Sequence, residues 1–223
     1  MSQKLTRYQQ SLIRGVFEHF NERDVLYVAI RGFHPMPDGI VGSDIDVLVQ
    51  PEDFDDAKSI LSDHGFHDRF KSNLLSFWRG RNRDYPEWFR ILRSENEGVG
   101  IDILNHFIFR SVEDYRRVRA DPELEKCAFE RRQFEQFFYH LHPVDEIVHL
   151  VGRGVFDKEG EFPDYYAARL DNLTEEIDTD ENRQKLLKAL ELVFSDAADF
   201  VFKEVKGSRY QSLRDELRRY SDY

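Results

Sequence analysis

Gly42-Ser43-Asp44-Ile45-Asp46-Val47-Leu48-Val49 reads as a turn that feeds directly into a short apolar strand. A strand turns successive side chains to opposite faces, so Asp44 and Asp46 share one face. Ile45, Val47 and Val49 occupy the other, which faces a core. Two like charges on one face repel each other, and a divalent cation is the usual counter-charge.

The elements around this stretch alternate. Leu12, Ile13, Val16, Phe17 and Phe20 recur at helical spacing and predict a helix over about Thr6 to Asn21. Val25 to Ile30 is rich in β-formers and predicts a buried strand. Arg31-Gly32 ends it, and the segment from His34 to Gly39, with two prolines and a glycine, reads as a loop. After the Asp44 strand, Pro51 with Glu52 and Asp53 opens a helix carrying Phe54, Ala57, Ile60 and Leu61, which Gly65 closes.

Strands are expected at Leu74 to Trp78, Trp88 to Leu92 and Val99 to Leu104, the last two forming a hairpin around a polar turn at Ser94 to Gly98. The returning strand carries Asp102 between Ile101 and Ile103. Ser111 to Arg119 reads as a helix with Ser111 as its N-cap. Arg132 to Leu141 fits either a helix or a strand. Beyond Pro143 the pattern is helical: one helix from Pro143, one over Tyr165 to Leu173, a long one from Asn182 to Lys206, and one over Tyr210 to Tyr220. The expected organisation is therefore an α/β region with a mixed sheet over residues 1–120, followed by a mainly helical region over residues 121–223.

Composition narrows the function. The 223 residues are 40% hydrophobic and 14% aromatic, enough for a substantial core. A net charge of −11 argues against a nucleic-acid partner, because neutralising phosphates needs a basic face. No apolar run reaches the about 18 residues that span a bilayer. The N-terminus lacks the apolar core of a signal peptide, and the single cysteine, Cys127, fits a reducing cytoplasm.

Gly32 after the first strand, the Asp44-Ile45-Asp46 pair twelve positions on, and Asp102 on a later apolar strand resemble the nucleotidyltransferase superfamily with the polymerase-β-like fold. More narrowly, Arg31-Gly32 with Ser-Asp-Ile-Asp-Val-Leu-Val and Gly65-Phe66 looks like the family of uncharacterised nucleotidyltransferases linked to surface-polysaccharide genes. The resemblance implies a transferase that moves a nucleotidyl group from a nucleoside triphosphate such as ATP to a hydroxyl of a small sugar-like or polyol-like acceptor. It implies two Mg²⁺ ions, about 4 Å apart, clamping the attacking and leaving oxygens. Asp44, Asp46 and Asp102 would be the metal ligands and catalytic residues, with Asp102 also a possible general base. Arg31, Gly32, Gly42 and Ser43 would meet the triphosphate.

Phe33 departs from the family pattern, which has Ser or Gly after the motif glycine, so a phosphate-binding hydroxyl is missing. That motivates a second reading: a weak or inactive module of the same fold that binds nucleotide or a protein partner, an antitoxin-like role included. His149, Arg153 and Lys158 are candidates for the acceptor side; a solvated helix face is the plainer reading of the first two. Arg79, Arg81 and Arg83 form a basic stretch that reads as a charged hairpin tip.

Overall fold

A computed structural model describes residues 2–42, 44–68, 89–94, 99–110, 117–158 and 160–217. They form two compact units, one drawn from Met1–Phe107 and Phe129–Leu141, the other from Ile108–Ala128 and His142–Tyr223.

In the first unit, strand β1 (Ser2–Lys4) precedes helix α1 (Arg7–Glu22). Thr6 caps α1 in a reciprocal pair: Gln9 N–H donates to its hydroxyl at 3.2 Å, and Thr6 N–H donates to the Gln9 side chain at 2.8 Å. Strands β2 (Tyr27–Arg31), β3 (Gly39–Val41) and β4 (Asp44–Val49) follow, then helix α2 (Phe54–Asp63) and strands β5 (Phe66–Asp68), β6 (Phe89–Ser94) and β7 (Gly100–Leu104).

Among the described residues the main sheet has seven strands in the order β10-β11-β2-β4-β7-β6-β5, where β10 is Gln133–Glu135 and β11 is Phe138–His140. β4 runs parallel to β7, and β11 parallel to β2; the other pairs are antiparallel. The mixed sheet is as expected. Its core face carries Ile45, Val47, Val49, Ile101 and Ile103, which join Phe17 and Phe20 of α1 and Ala57 and Leu61 of α2 in one buried cluster. Burying these side chains removes the face opposite Asp44 and Asp46 from water, which fixes the strand's orientation.

The second unit holds a small antiparallel pair, β8 (Ile108–Arg110) with β9 (Arg117–Arg119), and helices α3 (Pro122–Arg131, whose last residues belong to the first unit), α4 (Pro143–Gly152), α5 (Asp164–Glu176), α6 (Asp180–Phe194), α7 (Ala198–Lys206) and α8 (Leu213–Leu217). α4 packs on α5 and α6. Its Val144, Ile147, Val148 and Val151 are buried, as is Val155 beyond it.

Several expectations are corrected. The helix expected over Ser111 to Arg119 is contradicted at Arg117–Arg119, which pairs as β9; residues 111–116 lie outside the described residues. Arg132 to Leu141 resolves to the β10–β11 hairpin, with Gln136 in the left-handed region at its turn. The long helix from Asn182 breaks at Ser195, whose φ of 46° no helix accommodates, and a short 3₁₀ turn joins α6 to α7. The last helix is found as a 3₁₀ turn at Tyr210–Ser212 continued by α8, and residues 218–220 lie outside the described residues. The strand expected at Leu74 to Trp78 also lies outside them, as do Arg79, Arg81 and Arg83.

Candidate functional site

β4 and β7 put their acidic residues in register. Asp46 opposes Asp102 and Asp44 opposes Gly100, so all three carboxylates stand on the sheet face away from the core cluster. One oxygen of each lies within 4.8 Å of the others. Asp46 and Asp102 are each 6% exposed, and Asp44 is half-buried. Buried like charges at this spacing repel strongly unless a cation lies among them. Three hard oxygen donors converging on one point fit magnesium, which prefers such donors.

Arg31 ion-pairs with Asp46 through its Nε. A β-bulge produces this pairing. β2 and β4 run in regular register to Ala29 opposite Val47, then skip Ile30, so that Arg31 rather than Ile30 opposes Asp46. The expectation for Arg31 was a phosphate contact; its contact with a carboxylate of the acidic cluster was not foreseen. The signal available in sequence was only a cation at the end of a strand beside the two aspartates.

Gly32 follows with φ of 85°, and a Cβ there would collide with the Asp44 carbonyl oxygen and approach Ile45 Cα at 3.3 Å. The chain therefore passes against the start of β4 with no side chain between. The Gly32 carbonyl accepts from Val41 N–H at 3.0 Å, tying both ends of the intervening loop together. Strand β1 pairs with β3 and braces the same loop, and Leu5 N–H donates to the Asp38 carbonyl at 2.9 Å. Gly42 has φ of 86°, with open space where a Cβ would stand. Ser43 lies outside the described residues.

Phe33 is 3% exposed and belongs to the core cluster. Its ring lies 5.2 Å from that of His140 and 6.0 Å from that of Phe138. Its bulk is thus taken up by packing.

His149, Arg153 and Lys158 belong to the second unit. The plainer reading of a solvated face does not hold for His149, which is 5% exposed and packs against Phe109 with ring centres 6.3 Å apart. Arg153 opens a π-helical turn, Arg153–Asp157, that continues α4, and its Nη1 meets Asp157 Oδ2 at 2.5 Å. Asp157 Oδ1 accepts from Arg110 N–H at 2.8 Å. Lys158 is exposed.

Comparison with known proteins gives a family match. The family model described as "Uncharacterised nucleotidyltransferase" matches residues 9–181. No curated protein matches. Among solved structures, the antibiotic-resistance factor ANT(2'')-Ia is similar at 12% identity over 95% of this chain and 98% of its own, with a TM-score of 0.42. A candidate nucleotidyltransferase from H. pylori is similar at 11% identity over 98% of this chain and 100% of its own, with a TM-score of 0.36.

Proposed function

The chain belongs to the family of uncharacterised nucleotidyltransferases, and on that premise we propose that it moves a nucleotidyl group from a nucleoside triphosphate to a hydroxyl of a small sugar-like or polyol-like acceptor, with Mg²⁺ as cofactor. The observation that carries this reading is the convergence of Asp44, Asp46 and Asp102.

Asp44 and Asp46 would hold two magnesium ions from one strand, and ions bound there would supply Lewis-acid stabilisation of the charge that builds on the α-phosphate and the leaving pyrophosphate. Asp102 completes the ligand set from the neighbouring strand and takes the proton of the acceptor hydroxyl. Gly32 leaves its backbone open to the triphosphate, and Gly42 and Ser43 shape the turn before the metal pair. Arg31 supplies a planar donor fork that suits phosphate as well as carboxylate.

A sugar-like acceptor rests on the resemblance to the family linked to surface-polysaccharide genes. ATP as donor and a cytoplasmic location are further parts of the proposal. In support of the latter, there is a single cysteine, and among the described residues no helix is long and apolar enough to cross a membrane.

The test is pyrophosphate release from each of the four triphosphates with a panel of sugar and polyol acceptors, with Asp44→Ala as control. Release that needs Mg²⁺ and is lost in the variant supports the proposal. Metal-dependent triphosphate binding without release supports instead the second reading, a non-catalytic module, for which the absent hydroxyl at Phe33 is the motive.

A further inference from the structure

Arg31 stands in an unusual position for a phosphate-binding residue: its guanidinium is bonded to Asp46, a member of the cluster that would hold the metal. The pair is largely buried, with side chains 22% and 9% exposed. A guanidinium cannot shed its charge, so it remains a cation wherever it sits. A fixed positive charge beside a divalent cation opposes that cation, and the two compete for the same carboxylate lone pairs. The contact is built in by the backbone, because the bulge at Ile30 turns Arg31 onto the face of Asp46.

We propose that Arg31 is a counter-ion latch. In the metal-free protein it neutralises Asp46. When a metal takes Asp46, the guanidinium is displaced and meets the phosphates of the incoming triphosphate. Metal and nucleotide are then coupled, each raising the affinity for the other. This inference rests on the metal-centre reading above.

The experiment is calorimetric titration of the full chain with Mg²⁺ or Mn²⁺ alone, then with a non-hydrolysable triphosphate at saturating metal, for the native protein and Arg31→Gln. Removing a charge this close to the site should tighten metal binding about tenfold and weaken triphosphate binding about tenfold. Equal or weaker metal binding by a folded Arg31→Gln overturns the latch.

A second readout needs no substitution in the protein observed. In the native chain the Arg31 Nε–H resonance, assigned by its absence in Arg31→Lys, should shift on saturation with Mg²⁺ and again on adding the triphosphate analogue. A resonance that Mg²⁺ leaves in place overturns the latch even if Arg31→Gln fails to fold. If the native protein binds no divalent metal at all, the metal-centre reading itself has failed, and the latch goes with it.

Discussion

Asp46 and Asp102 are register partners across the parallel strands β4 and β7, and both are buried. Their side chains therefore point from the same face, and their like charges are held together by the backbone. The opposite face explains why this persists. Ile45 opposes Ile101 and Val47 opposes Ile103, all inside the core cluster. A one-residue slip of β4 would turn both its aspartates into that core and its valines out of it. Hydrophobic burial thus fixes an arrangement of like charges, which the Arg31 guanidinium offsets in part at Asp46.

Gly32 and Gly42 have nearly the same positive φ but different surroundings, and they separate backbone strain from steric contact. Gly42→Ala meets open space and should cost only the left-handed conformation, about 1 kcal/mol. Gly32→Ala adds a collision with the backbone of Asp44 and should cost clearly more, about 3 kcal/mol, while displacing the start of β4. Denaturant midpoints of the two variants check the order.

Phe33 stands where the resemblance to the superfamily leads one to expect Ser or Gly, and placing Ser there is expected to harm. Phe33→Ser exchanges a buried ring for a hydroxyl in the core and should destabilise the protein by about 3 kcal/mol or more. It should not improve affinity for the triphosphate. A calorimetric comparison with the native chain, alongside a thermal melt, tests both statements.

Much of this arrangement is legible in sequence because strands expose their pattern. Alternation with Ile and Val assigns Asp44 and Asp46 to a common face, and the resemblance adds Asp102; the register of β4 with β7 that sets Asp102 opposite Asp46 is read from the structure. The bulge at Ile30 has no such signature, since Val25 to Ile30 reads as uninterrupted strand. Strand β1, Ser-Gln-Lys, is three polar residues whose pairing with β3 is decided by tertiary structure. In the β10–β11 hairpin, Phe134, Phe137 and Phe138 have helical spacing. A two-residue turn at Gln136-Phe137 separates them, leaving Phe134 57% exposed while the other two are buried. Ser195 carries no proline or glycine to announce the break between α6 and α7.

His64 gives a pH dependence. Burial first, and then the nearby His19 charge, push its pKa below the ordinary histidine value; the two rings approach at 3.4 Å, Nδ1 of His19 to Nε2 of His64. The unfolded chain therefore binds the proton first as pH falls. The contribution of His64 is complete above its unfolded pKa of about 6.5 and declines as pH drops through the lower folded value. The difference in unfolding midpoint between the native protein and His64→Gln should change in that direction between about pH 7.5 and pH 5.

Arg169 holds a buried carboxylate in the second unit. Its Nε and Nη2 donate to the two oxygens of Glu146 at 2.9 and 2.8 Å, and Glu146 is 1% exposed. Burial, the largest single influence, would lower the guanidinium pKa, but the hydrogen bonds and charge of Glu146 together with those of Glu176 outweigh it and raise the pKa. Arg169→Met should cost about 3 to 5 kcal/mol by stranding the charge of Glu146. The double variant Glu146→Leu with Arg169→Met should recover most of that loss. Urea unfolding of the single and double variants measures the recovery.

The central claim is that three aspartates from two strands serve one metal-dependent reaction. The most direct measurement is Mn²⁺ binding, read by paramagnetic resonance, together with pyrophosphate release, in the native protein and in Asp44→Asn, Asp46→Asn and Asp102→Asn. The account predicts that each substitution weakens metal binding by at least about tenfold and reduces release by about a thousandfold or more, with the fold intact. Native metal binding and native turnover in a folded Asp102→Asn would contradict it.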